Sequence, residues 1–109
     1  MNRYSELLKT LEDLEAERTR ISGEGDVLLD CWLAESKPGG TARSQKAHWQ
    51  LRSRKAQFNG KKSKYVRAAD VEQYEAAIAR GKQLRQLDRQ IEALHQRIVK
   101  IEAVIAKVG

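Results

Sequence analysis

Covalent restraint is nearly absent from this chain, which holds one cysteine, Cys31, and one proline, Pro38, in 109 residues. A lone thiol closes no internal disulfide, and no second thiol stands at metal-ligand spacing, so neither a disulfide scaffold nor a zinc module is expected. A reducing cytoplasm is the expected compartment. Long apolar runs are missing too: no stretch approaches the roughly 18 residues of a membrane span, and the first twenty residues alternate charge with leucine, unlike a cleaved leader. With 6% aromatic and 33% charged residues there is little material for a broad core. One small domain over residues 1–109 is expected, without an enclosed catalytic chamber.

The most informative absence is of negative charge. From Ser36 to Ala69 there is no Asp or Glu, while ten basic residues occur there: Lys37, Arg43, Lys46, Arg52, Arg54, Lys55, Lys61, Lys62, Lys64 and Arg67. Residues 1–35 carry net −5 and residues 70–109 net +1, which with the central +10 gives the overall +6. A merely soluble surface mixes the signs, so segregation of this kind points to a polyanionic partner.

Periodicity divides the chain. Tyr4, Leu7, Leu11, Leu14 and Ile21, with Leu8 beside them, trace the stripe of an amphipathic helix over residues 3–22, and Arg18 is the one charge in its seam. Gly23 and Gly25 end it. Val27 to Glu35 alternates Val27, Leu29, Cys31 and Leu33 against Leu28, Asp30, Trp32 and Ala34, which reads as a strand, with continuation of the first helix as the alternative. Pro38, Gly39, Gly40, Thr41 and Ser44 make Lys37 to Lys46 a basic loop. Trp49 to Phe58 and Lys61 to Arg67 then form a hairpin around Asn59-Gly60, the pair suited to a two-residue type I′ turn. In that register Arg54 faces Tyr65, Arg52 faces Arg67 and Leu51 faces Ala68. Trp49, Leu51 and Val66 then point inward, with Arg52, Arg54, Lys61, Tyr65 and Arg67 on the open side.

Asp70 is placed to cap a long helix, residues 70–108, in which Val71, Tyr74 and Ile78 are followed by Leu84, Leu87, Ile91, Leu94, Ile98, Ile101, Ile105 and Val108 at 3-4 spacing. The phase shift near Gly81 marks a bend. At about 1.5 Å per residue the two helices are about 30 and 58 Å long, so the short one covers the long one to about Leu94. Ile98, Ile101, Val104 and Ile105, with Val99, are left for a homodimer contact.

No catalytic constellation is present: there is no phosphate loop, paired-histidine motif or serine elbow, and His48 and His95 lack a neighbouring ligand. Cys31, on the apolar side of its strand, reads as a small buried hydrophobe. No cofactor or metal is expected, and no enzyme. The basic hairpin is what demands a partner. Crowding Lys55, Lys61, Lys62 and Lys64 around one turn is repulsive unless a polyanion screens them. The major groove of duplex DNA, about 12 Å wide, admits a two-stranded ribbon, with Arg52, Arg54 and Arg67 at base edges and lysines on phosphates. Tyr65 and Phe58 stacked on unpaired bases are how a single-strand or RNA binder would use the same surface.

The order of leucine-rich helix, glycine break, apolar strand, Lys37-Pro38-Gly39-Gly40 loop, Trp49-Gln50-Leu51-Arg52-Ser53-Arg54, Asn59-Gly60-Lys61-Lys62 and Tyr65-Val66 resembles a family of small uncharacterised bacterial proteins over most of residues 5 to 95. Members often carry cysteines in the loop after the first strand. This loop has none, so metal binding is not implied here. The hairpin itself is similar to the arm-binding domains of tyrosine recombinases, which lay a three-stranded sheet into DNA, and that resemblance implies sheet-mediated contact. The expectation is therefore an α+β protein: an N-terminal helix, a small three-stranded antiparallel sheet over residues 27–67 with a basic hairpin, and a long C-terminal helix in a coiled-coil-like pair. Its expected role is nucleic-acid binding, duplex DNA ahead of RNA, through Lys37, Arg43, Lys46, Arg52, Arg54, Lys55, Lys61, Lys62, Lys64, Tyr65 and Arg67. The alternative is an adaptor or inhibitor that docks on an acidic protein.

Overall fold

The computed structural model describes residues 3–36 and 48–108. Along the chain these form α1 (Arg3–Ser22), β1 (Cys31–Ser36), β2 (His48–Ser53), β3 (Ser63–Val66), a 3-10 turn (Ala68–Asp70) and α2 (Val71–Val108). This is the α+β order that the patterning predicts. Two compact units result, Met1–Gly25 with Lys82–Gly109, and Asp26–Gly81, and α2 supplies residues to both.

In the helical unit the stripe of α1 meets α2 where Leu7, Leu94 and Ile98 are buried, with Tyr4, Leu11, Leu14 and Ile101 packed against them. Two polar contacts set direction and register. Tyr4 Oη donates to Glu102 Oε1 at 3.2 Å, and Arg18 Nε donates to Asp88 Oδ1 at 2.5 Å, so the helices run antiparallel. The charge in the α1 seam is thus met at the edge of the pair, and its hydrogen bond to Asp88 holds the Arg18 guanidinium above its ordinary pKa. At the end of α1, Gly23 N donates to Thr19 O at 3.1 Å and Glu24 N to Ile21 O at 3.1 Å, satisfying last-turn carbonyls. Arg20 in that turn pairs with Glu17 and Glu24, and its hydrogen bond keeps the Glu17 carboxyl below its usual range.

This register corrects the expected cover. Ile98 is buried and Ile101 half-buried within the chain, because Val71, Tyr74 and Ile78 at the start of α2 pack into the sheet's core, and α1 pairs further along. Val104 and Ile105 lie beyond the Tyr4–Glu102 contact and stay exposed, as does Val99.

The second unit is an antiparallel sheet of order β1-β2-β3. Its core holds Leu51, 1% exposed, with Val66 and Cys31, and Leu28, Leu33, Trp49, Phe58, Val71, Tyr74 and Ile78 pack against them. Burial of a leucine of this kind stabilises by about 2 kcal/mol. Burial, with the Asp30 carboxylate as a smaller contributor, raises the Cys31 thiol pKa, which suits the inert thiol expected from its position. The strand predicted from Val27 begins only at Cys31. Asp30 has φ 58°, and this left-handed residue breaks the alternation, turning Leu28 inward and leaving Leu29 exposed.

The segment before β1 runs instead along α2. Leu28 N donates to Ala77 O at 3.1 Å, and Arg80 Nη1 to Asp26 O at 2.8 Å. So close an approach requires Gly81, where an added Cβ would stand 2.0 Å from Leu28 O. The glycine read as a bend is therefore a crossing point, and α2 is assigned as one helix through it. Alanine in a helix interior ordinarily gains about 1 kcal/mol over glycine. Gly81→Ala should instead lose about 1–3 kcal/mol through overpacking. Urea denaturation measures the sign, and an unchanged or higher midpoint would show that Leu28 yields without cost.

Candidate nucleic-acid interface

Asn59 and Gly60 both have positive φ, 52° and 80°, as a type I′ turn requires, and Phe58 pairs with Lys61 across them. Above this turn the expected ladder does not continue. β2 and β3 pair Trp49 with Val66, Gln50 with Tyr65, Leu51 with Lys64 and Arg52 with Ser63, a register displaced by four residues from the one predicted. The cause is Ser53. Its side chain is buried, and a buried hydroxyl must be satisfied locally. Ser53 Oγ donates to Lys55 O at 2.7 Å and accepts from Lys55 N at 3.1 Å and Gln57 Nε2 at 2.8 Å. Residues 54–57 are thereby drawn out of the ladder. Ser53 N donates to Lys62 O at 2.9 Å, and Gln57 N and Phe58 N both donate to Lys61 O, closing the loop against the turn.

Because the displacement is even, each strand keeps its faces. Leu33, Leu51 and Lys64 form one cross-strand row of the inner face, and Glu35, Trp49 and Val66 another. On the outer face Trp32, Arg52 and Ser63 are aligned, then Ala34, Gln50 and Tyr65, with His48 opposite Ser36. Trp32 is 44% and Tyr65 62% exposed. The His48 and Tyr65 rings lie 6.5 Å apart, tilted by 56°. Arg52 Nε and Nη2 donate to Gln50 Oε1 at 3.2 and 3.1 Å. No carboxylate occupies a described position on this face.

The predicted contact residues separate accordingly. Arg52 and Tyr65 share the outer face. Arg54 and Lys55 occupy the extruded loop, with Lys61 and Lys62 joined to it through their carbonyls, so these four cluster at one end of the sheet. Arg54 thus leaves the ladder position opposite Tyr65 that was expected of it. Lys64 falls on the inner side, its ammonium 5.7 Å from the centroid of the Tyr74 ring. Arg67 follows β3 rather than facing Arg52, and its Nε donates to Asp70 Oδ2 at 3.1 Å. That carboxylate, expected as a helix cap, ends the 3-10 turn and takes the guanidinium. Lys37, Arg43 and Lys46 lie outside the described residues.

Two concavities flank these groups. One, of about 520 Å³, is lined by Gln57, Phe58, Asn59, Lys61, Ser63, Lys64 and Tyr65 and holds two lysines with no carboxylate. The other, of about 480 Å³, includes Asp26 and Asp70 beside Arg67, a charge set poorly matched to a polyanion. Trp32, Gln50 and His48 are outer-face residues that sequence reasoning did not single out. The alternation of Trp32 against Cys31 and Leu33 was the available signal for the first.

Among the described residues no three or more His, Cys, Asp or Glu are gathered to hold a metal, and no helix is long and apolar enough to cross a membrane. Comparison with known proteins finds no matching family model, curated protein or solved structure.

The Ser53 network generates a stability test. Ser53→Ala leaves Lys55 N–H and the Gln57 amide short of a partner and should cost about 1–3 kcal/mol. The exposed Ser63→Ala should stay within about 0.5 kcal/mol of the parent. Urea denaturation supplies both values, and amide exchange at Lys55 should accelerate only in the first variant.

Proposed function

We propose that this protein binds nucleic acid without catalysis, through the outer sheet face and the basic loop and turn at its end, and that duplex DNA is the ligand. The observation that carries the reading is a three-stranded face on which Arg52, Trp32 and Tyr65 are exposed, with no carboxylate at its described positions, beside the cluster of Arg54, Lys55, Lys61 and Lys62. Lysines and Arg54 at the turn meet phosphates, while the outer face approaches base edges in the major groove. Lys37, Arg43 and Lys46 would extend the phosphate track. The likeness of the hairpin to the arm-binding sheets of tyrosine recombinases supports the same mode of contact, and a cytoplasmic setting is consistent with it.

About six phosphate contacts give a salt slope of about −5. Mobility shifts with double-stranded DNA, single-stranded DNA and RNA at two salt concentrations test this. The duplex should bind best, with affinity falling steeply as salt rises. Charge reversal at Arg54 and Lys62 together should weaken binding more than tenfold, roughly what loss of two phosphate contacts implies. Reversal at Arg97 and Lys100 on the exposed side of α2 should do far less. Equal losses would move the site away from the turn, and no retention of duplex at low salt would end the proposal.

A second reading, self-association or docking on another protein, is favoured by the exposure of Val99, Val104 and Ile105 at 60, 61 and 53%. With Ile98 and Ile101 packed against α1, such a contact falls on Val104 and Ile105. Sedimentation should then show dimers that the Val104→Asp, Ile105→Asp variant converts to monomers with duplex binding weakened but retained. A monomeric parent chain removes the homodimer.

A further inference from the structure

We infer that Arg52 reads guanine in the duplex and that Gln50 is the positioning residue that aims it, an inference that rests on the duplex-binding reading above. A guanidinium has two edges able to present a parallel pair of N–H groups. In Arg52 the edge formed by Nε and Nη2 is taken by Gln50 Oε1, at 3.2 and 3.1 Å. The other edge, built from Nη1 and the second Nη2 hydrogen, is left for an external acceptor pair. Guanine offers such a pair in the major groove, O6 and N7. Adenine and cytosine each place an amino donor at the groove edge, where a fork of donors meets repulsion.

Three further observations favour Arg52 over its neighbours. It stands on the central strand, and its cross-strand neighbours, Trp32 and Ser63, carry no acidic group. Gln50 is half-buried between Ala34 and Tyr65, which restrains its amide and through it the guanidinium. The other two arginines of the hairpin lack this arrangement: Arg54 lies on the extruded loop, and Arg67 gives its Nε to the Asp70 carboxylate, which offsets its charge. Lys61 and Lys62, compact cations at the turn, suit phosphates instead.

Selection from a randomised double-stranded DNA library with the full chain, followed by mobility shifts on the enriched duplexes, tests the assignment. The parent should enrich sites sharing a guanine that it prefers by about 5- to 100-fold over other bases. Arg52→Lys keeps the charge but loses the fork, so that preference should vanish while the salt slope is retained. Gln50→Ala should weaken preference at the same base pair while leaving the salt slope unchanged, since Gln50 neutralises no phosphate. Lys62→Ala should keep the guanine and lower the salt slope by about 1. Melting temperatures report whether each variant folds. Duplex binding with no shared guanine, or with a guanine preference that survives Arg52→Lys, overturns the inference alone. Preference undiminished in Gln50→Ala removes the positioning role. Absence of any duplex binding at low salt overturns the binding reading and this inference with it.

Discussion

Ser53 ends β2 with its hydroxyl withdrawn from water, and a hydroxyl in that position has one hydrogen to give and two lone pairs to fill. Lys55 and Gln57 fill them, so the chain leaves the ladder after Ser53 and rejoins it only at the Phe58–Lys61 pair. Much of the placement of the basic and aromatic residues follows from that local solution. It opposes Arg52 to Ser63 instead of Arg67, sets Gln50 beside Tyr65, and carries Arg54 and Lys55 to the end of the sheet. Gln57 extends the network, its amide reaching Leu29 O at 3.2 Å, so the residues leading into β1 are tied to the same loop.

The register also distributes charge. Lysines crowded around a two-residue turn repel one another at cross-strand distance. Here Lys64 falls on the inner side, over the Tyr74 ring, and Lys55 is carried away on the loop, so the four are not stacked as direct cross-strand neighbours. Arg67 is offset by Asp70. At its described positions the outer face carries one guanidinium among aromatic, imidazole and amide groups.

Helix α2 serves both units, and this explains where its apolar residues find cover. Val71, Tyr74 and Ile78 belong to the sheet's core, whereas Leu94, Ile98 and Ile101 belong to the pair with α1. Between them Gly81 gives the space through which the Leu28 backbone passes. The apparent break in the heptad pattern is the point at which the helix exchanges one partner for another.

Both helices, the α+β class, the Asn-Gly turn and the division of the hairpin into inner and outer faces were legible in the amino-acid order, because they depend on periodicity, capping and local φ preferences that a short window contains. The segregation of cations from carboxylates was equally plain. Tertiary structure decided the β2–β3 register, since a four-residue slip preserves the apolar alternation, and the two ladders differ in how Ser53 is satisfied, here by Lys55 and Gln57. It decided the fate of Ile98 for a similar reason: helical spacing says that a residue is apolar on one face, and nothing in that spacing says which of two partners arrives there. The alignment of Trp32 with Arg52 and of Gln50 with Tyr65 on the outer face likewise depends on which strands become neighbours, a long-range pairing that periodicity within each strand leaves open.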